Sequence, residues 1–246
     1  MLNDPLSFWQ KLQGTIALHD AIFETRKKQR INQETKPKLI ADIRKDTADK
    51  EYNIGLNLVL NSTMSFHNLF KNLFISMDKN EFKKSQSVSQ KYDTHLISYN
   101  NRYSLLSSIN LYSHTMNVVV EAIKISIENK LPQQVQDIVI LLAVLHDFGK
   151  NQSIAQEFQF EKDNAGIHHR ISANYAKFIM YEESLLDDEQ GITKELIEMV
   201  YTTLRNHHEE VKNSNMFLKL LINADTNARE LELRGILKNQ QVKGKK

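Results

Sequence analysis

Seven residues of this 246-residue chain have the types and the spacing of a metal centre. Two of them close an apolar run: Ile138 to Leu145 ends abruptly in His146-Asp147, and Phe148, Gly149 and Lys150 follow. A helix buried on most sides that finishes in an imidazole and a carboxylate must satisfy both inside the protein. Buried polar groups without partners cost roughly 1–3 kcal/mol each, and charges more. A metal ion is one partner for both. The remaining donors are His114 upstream and His168, His207, His208 and Asp225 downstream. A sulfur-free set of imidazoles and carboxylates suits Fe, Mn, Co, Ni or Zn better than Mg or Ca.

These residues meet only if helices carry them to one place. Apolar periodicity predicts helices near Tyr103–Asn129, Gln133–Asp147, Ile167–Glu182, Thr193–His208 and Ser214–Leu237, with a short one in 151–160 and no convincing strand. On the first, Leu111, His114, Val118 and Ile125 step by three, four and seven, so His114 faces inward. His168, Ile171, Tyr175 and Phe178 do the same on the third. On the fourth, Ile197, Val200, Tyr201 and Leu204 define a stripe that His207 and His208 continue, and on the fifth Leu218, Ile222, Asp225 and Arg229 share a face. A lone inward histidine is ordinarily a satisfied core residue. Five histidines and two aspartates on inner faces of five successive helices are a ligand set.

The rest of the chain bounds the class. Hydrophobic content of 41% supports a core, while 7 glycines and 3 prolines suit a helical protein. A net charge of +2 argues neither for nor against nucleic acid. With no cysteine, disulfides, a thiolate nucleophile and a sulfur-rich zinc site are excluded. No run approaches a membrane span, and MLNDPLSFWQKL lacks the pattern of a secretory signal, so a cytoplasmic protein is expected. Asp4-Pro5 resembles a helix start, and RKKQR at 26–30 reads as a solvated helix face or, second, a phosphate-binding patch. Phe66, Leu69, Phe70, Leu73 and Phe74 have helical spacing, and Lys79 to Tyr99 reads as a loop. His19-Asp20 is a decoy pair without matching partners.

HDFGK at 146–150 resembles the HD-x-G-K core of the HD superfamily of metal-dependent phosphohydrolases. The order His114, His146-Asp147, His168, His207-His208, Asp225 resembles the ligand order of that family over about Tyr103 to Leu237. The resemblance implies an all-α HD-domain helical bundle (101–237); a helical N-terminal extension of unknown role (1–100) precedes it, and the Lys-rich end (238–246) reads as a frayed basic tail. His114, His146, Asp147 and Asp225 match the one-metal members, and the added His168, His207 and His208 match branches holding two divalent metal ions, Fe or Mn favoured and Zn, Co or Ni compatible. By that likeness Asp147 bridges, one ion takes His114, His146 and Asp225, and the other takes His168, His207 and His208. His169 competes with His168 for the ligand role; Ser172, a small residue four positions after His168, favours His168 and leaves His169 facing substrate or behind the ligands.

The function so implied is hydrolysis of a phosphoester in a nucleotide or a nucleic acid by a metal-activated water, with Asp147 and Lys150 as catalytic candidates. Lys150, His169 and Arg229 are the substrate-binding candidates, against which stand an exposed lysine past a helix end and a salt-bridged arginine. A phosphorylated small molecule or nucleotide is the expected partner, with no membrane and with homodimerisation through the N-terminal extension open. The other class of reading is a metal-keeping HD-type sensor or interaction module with little catalysis. Tyr112-Ser113-His114-Thr115 and Ser172-Ala173 are faintly similar to HD-type proteins of conjugative elements, and no Gly-Tyr-Pro follows HHEEV at 207–211, which speaks against the cyclic-di-GMP branch.

Overall fold

The computed structural model describes residues 66–88, 105–159, 168–186, 191–208 and 215–243, all within one compact unit that begins at Glu51. The expectations for Asp4-Pro5, His19-Asp20, RKKQR and most of the N-terminal extension lie outside these residues. Among the described residues the architecture is all-α. The helices are α1 (His67–Lys79), α2 (Leu111–Glu128), α3 (Gln133–Leu145), α4 (Gln152–Phe158), α5 (His168–Leu186), α6 (Lys194–Arg205) and α7 (Met216–Lys243). Short 3-10 turns occupy Leu106–Ser108 and Phe148–Lys150. No described helix is long and apolar enough to cross a membrane.

Local chemistry sets the helix ends. Asn110 caps α2 by accepting from Ser113 N at 2.7 Å, Asn151 caps α4 by accepting from Ser153 N and Ile154 N, and Thr193 caps α6 by accepting from Leu196 N. Two helices stop by reversing into the left-handed region at a non-glycine residue: Glu81 (φ 53) after α1 and Lys130 (φ 51) after α2. Each sets up the same pair of bonds. After α1, Glu81 N donates to Asp78 O and Phe82 N to Met77 O; after α2, Lys130 N donates to Ile127 O and Leu131 N to Ser126 O. The strain of each L-residue, about 1–2 kcal/mol, is thus spread over two satisfied carbonyls. At the first of these turns Phe82 enters the core.

α2 packs between α3 and α7, α5 lies along α6, and the Phe148–Lys150 turn seats on α5. The expected apolar face of α1 is real: Leu69, Phe70, Leu73, Phe74 and Met77 are buried. That face belongs to the core that carries the candidate site. Phe82 packs on Phe148 with ring centroids 4.7 Å apart, and Phe148 stacks on Tyr175 at 4.9 Å. The Tyr175 hydroxyl donates to Ser76 Oγ at 2.7 Å, which ties α5 to α1. Burying each such aromatic side chain is worth about 1.5–3 kcal/mol.

Two details differ from the periodicity. Ile222 is 37% exposed, so the inner face of α7 runs through Leu218, Leu221, Ala224, Asp225, Ala228 and Arg229 to Glu232. The expected frayed tail is helical as far as Lys243, because KNQQVK contains no breaker before Gly244.

Candidate metal centre

Five structural segments deliver the seven ligand-type residues. α2 brings His114 in its first turn, and the turn after α3 brings His146 and Asp147. α5 begins with His168, the turn after α6 holds His207 and His208, and α7 brings Asp225. Donor atoms of Asp147, His168, His207 and His208 all lie within 4.8 Å of one another, as do those of His114, His146 and Asp147. Asp147 is common to both groups. Its Oδ2 is 3.4 Å from His114 Nε2 and 3.3 Å from His146 Nε2, and its Oδ1 is 3.4 Å from His168 Nε2. Asp225 Oδ1 stands 3.2 Å from His114 Nε2.

The orientation of the rings is what distinguishes this cluster from a set of satisfied core histidines. Nδ1 of His146 lies 2.8 Å from Ala143 O, Nδ1 of His207 lies 2.7 Å from Leu204 O, and Nδ1 of His114 lies 3.0 Å from Glu232 Oε1. With an N–H at each Nδ1, each Nε2 turns inward and is a lone-pair donor whenever that nitrogen carries no proton. Nε2 of His114, His146 and His207, Oδ1 of Asp147 and Oδ1 of Asp225 are all buried without a well-formed hydrogen bond; His114 Nε2 meets Asp225 Oδ1 at 3.2 Å and Asp147 Oδ2 at 3.4 Å as charge pairs. Five convergent orphan donors in one cavity are the arrangement a cation satisfies. Buried His and Asp groups close enough to hold a metal ion are therefore present, and the donor set of imidazole nitrogen and carboxylate oxygen fits a divalent transition metal.

No family model, curated protein or solved structure matches this chain. The candidate site rests on its own geometry.

That geometry places His168 in the cluster, with Nε2 2.9 Å from His208 Nε2. His169 is buried beside it, its ring centroid 5.8 Å from that of His207 and 5.6 Å from that of His208. His208 sits at the exposed rim, its ring 4.1 Å from that of His207. Lys150 turns back on the site: its Nζ donates to Asp147 Oδ2 at 2.9 Å and to Ser87 O at 3.1 Å. Arg229 is buried and donates to Ser87 Oγ at 2.9 Å, to Ser87 O at 3.0 Å and to Glu232 Oε2 at 3.3 Å, with Asp147 Oδ2 3.7 Å away.

Gly149 answers a packing need. A Cβ there would collide with the carbonyl oxygen of His168 and come within 2.8 Å of Ile171 Cβ. Its N–H donates to Ser172 Oγ at 2.8 Å, which locks the turn after α3 against the first turn of α5. Gly149 and Ser172 thereby fix how His146-Asp147 meets His168.

Electrostatics separate the histidines. Burial and the Arg229 charge both push His114 down, but Asp147, Asp225 and Glu232 outweigh them and raise it to about 9. Burial pushes His168 and His207 well below the usual imidazole range, with Lys150 adding to the first and His208 to the second. Burial and Lys150 take His208 down to about 4. Burial alone would raise Asp147 and Asp225; His146 and Lys150 around the first, and His114 beside the second, hold both well below the carboxylate range instead. Without metal, His114 is thus the cation that its three acids require, while the histidines across the cavity are neutral donors.

Sequence reasoning missed Glu232 and Ser87. Glu232 lies seven residues after Asp225, two helical turns along the same face, and that spacing is the signal that finds it. Ser87 sits in the loop after α1, 142 residues from Arg229, and nothing local marks it.

Proposed function

We propose that the cluster binds two divalent metal ions sharing Asp147, and that the protein is an HD-type phosphohydrolase acting on a phosphoester of a nucleotide or a nucleic acid. The observation that carries the reading is the set of orphaned inward donors, with Asp147 common to both groups. His114, His146 and Asp225 would hold one ion, and His168, His207 and His208 the other. Two such ions would supply Lewis acidity, a water of lowered pKa and a clamp on the attacking and leaving oxygens of an in-line displacement at phosphorus.

The chain's own residues prepare for that chemistry. Asp147 presents one oxygen to each half of the site. The Nδ1 contacts of His146 and His207 with backbone carbonyls keep those rings aimed inward without further ordering. Lys150 neutralises Asp147 Oδ2 and holds it in place. His169, buried beside the His207–His208 turn, is the residue we assign to the substrate side. The overall reaction forms one P–O bond from water, breaks the ester P–O bond and transfers a proton to the departing oxygen.

A specific observation favours the second reading, a metal-binding module with little catalysis. The lysine and the arginine beside Asp147, Lys150 and Arg229, are engaged by Ser87, Asp147 and Glu232 rather than directed at a ligand. The experiment separates the two. Protein purified without chelator is assayed for metal content and, with Mn(II) or Fe(II), against a panel of phosphodiesters, nucleotides and oligonucleotides. The hydrolase reading expects turnover that Asp147→Ala abolishes. Full metal occupancy with no turnover on any substrate overturns it in favour of the binding module.

A further inference from the structure

We infer that Glu232 is the positioning carboxylate of the metal centre: it fixes the ring of His114, and through it the metal affinity of the His114–His146–Asp147 group. The inference rests on the metal-centre reading above and adds to it a residue that is not a ligand.

Three observations carry it. Glu232 is buried, with a side chain only 2% exposed, although a buried carboxylate is costly unless fully partnered. Its Oε1 lies 3.0 Å from His114 Nδ1 and accepts from Asn117 Nδ2 at 2.9 Å, so α2 grips that oxygen at two points one turn apart. Its Oε2 is 3.3 Å from Arg229 Nη1, and Arg229 is itself anchored on both the hydroxyl and the carbonyl of Ser87. Both carboxylate oxygens are therefore engaged, and Glu232 stands outside the two groups of donor atoms that lie within 4.8 Å of one another.

The consequence for His114 is specific. His146 and His207 are oriented by neutral backbone carbonyls, His114 by an ionised side chain. A proton held at Nδ1 by a carboxylate forces Nε2 to be the donor and increases its basicity towards a cation. His114 Nδ1 meets a side chain 118 residues away where His146 and His207 meet carbonyls three residues away, so its ring alone among these three depends on one distant side chain. Substitution of such outer partners of ligating histidines weakens metal binding by about 10–100-fold.

The test uses the full chain stripped of metal, with Mn(II) and Zn(II) as probes. Metal dissociation constants are measured by competition with a chromogenic chelator for wild type, Glu232→Gln, Glu232→Ala and Asn117→Ala. Glu232→Gln keeps the shape and one acceptor oxygen for His114 Nδ1 and Asn117, and removes the charge together with the acceptor facing Arg229. Expected are about 10-fold weaker binding of one metal equivalent in Glu232→Gln and about 100-fold in Glu232→Ala, with the second equivalent unchanged. Asn117→Ala should weaken it by less than Glu232→Gln, because it removes only a brace on Oε1. Nitrogen NMR of the Zn(II)-loaded protein supplies a readout that a structural role would not move: His114 should be metallated at Nε2 and protonated at Nδ1 in wild type, and should lose that single state in Glu232→Ala. Unchanged metal affinity in both Glu232 variants, in a wild type that binds metal, overturns this assignment alone. A wild type that binds no metal overturns the metal centre and this assignment together.

Discussion

His114 and His207 belong to one cluster, linked through His146 by ring centroids 5.4 Å and 5.9 Å apart, and burial pushes both down, yet only His114 is raised. The difference is the company each keeps: three carboxylates around His114, and imidazoles around His207. The metal-free protein should therefore lose stability on both sides of neutrality. His114 has a folded pKa of about 9 against 6.5 unfolded, so its contribution is fully present below 6.5 and is lost as pH rises through about 9. His168 and His207 have folded values well below 6.5, so the unfolded chain binds more protons as pH falls, and stability drops from about 6.5 downward. Chelator-treated protein melted between pH 5 and 10 should show a stability maximum near 6.5 and decline on either side. A melting temperature still rising from pH 7 to 9 would contradict the carboxylate cage around His114. Replacing His114 with Gln should flatten the alkaline arm and leave the acid arm in place.

At the scale of elements, the site depends on how closely the turn after α3 approaches α5. Gly149 permits that approach, and an added methyl has no room against the His168 carbonyl. Gly149→Ala should cost at least the about 1–3 kcal/mol of an overpacked core, and should weaken metal retention by displacing His168 from Asp147. Gly235 supplies the control. It lies exposed within α7 with open space around it, so Gly235→Ala should stabilise by about 0.5–1 kcal/mol. Thermal melts that gave both substitutions the same sign would remove the steric explanation. The elements themselves were legible from periodicity, since the helices carry apolar stripes of their own, and Asn110, Asn151 and Thr193 cap three of them. So were the inward positions of His114, His168 and Asp225, which follow from steps of three and four along those stripes. What no local pattern encodes is the pairing of residues remote in sequence. Glu232 meets His114 across 118 residues and Ser87 meets Arg229 across 142, and both bonds exist only once α7 has docked on α2 and the loop after α1 has closed over them. Ile222 went astray for a related reason: seen alone, a stripe of Leu218, Ile222 and Asp225 is as helical as the stripe through Leu221 and Ala228 that docking on α2 selects.

For the whole molecule, the seven ligand-type residues lie on five segments that span His114 to Asp225, so a cation bound among them cross-links most of the described unit. Without a cation, Asp147, Asp225 and Glu232 are offset by His114, Lys150 and Arg229, an arrangement that holds the fold together but leaves Nε2 of His146, Nε2 of His207 and Oδ1 of Asp147 buried without hydrogen bonds. Metal binding should thus act as folding free energy rather than as decoration of a finished site. A ligand that binds only the folded state stabilises it by about 2.7 kcal/mol at a hundredfold excess over its dissociation constant, and by about 1.4 kcal/mol more for each further tenfold. In a chain of this size that corresponds to about 5–10 °C in melting temperature. Scanning calorimetry of the chelator-stripped protein with graded Mn(II) or Zn(II) should show the transition moving upward with the logarithm of free metal. Asp147→Ala should abolish most of the shift, because it removes the one residue common to both groups, whereas His208→Ala at the exposed rim should remove only part of it. A transition that ignores metal in the wild type would mean that the convergent donors are satisfied by protons and by one another, and that the cavity is a piece of buried polar core.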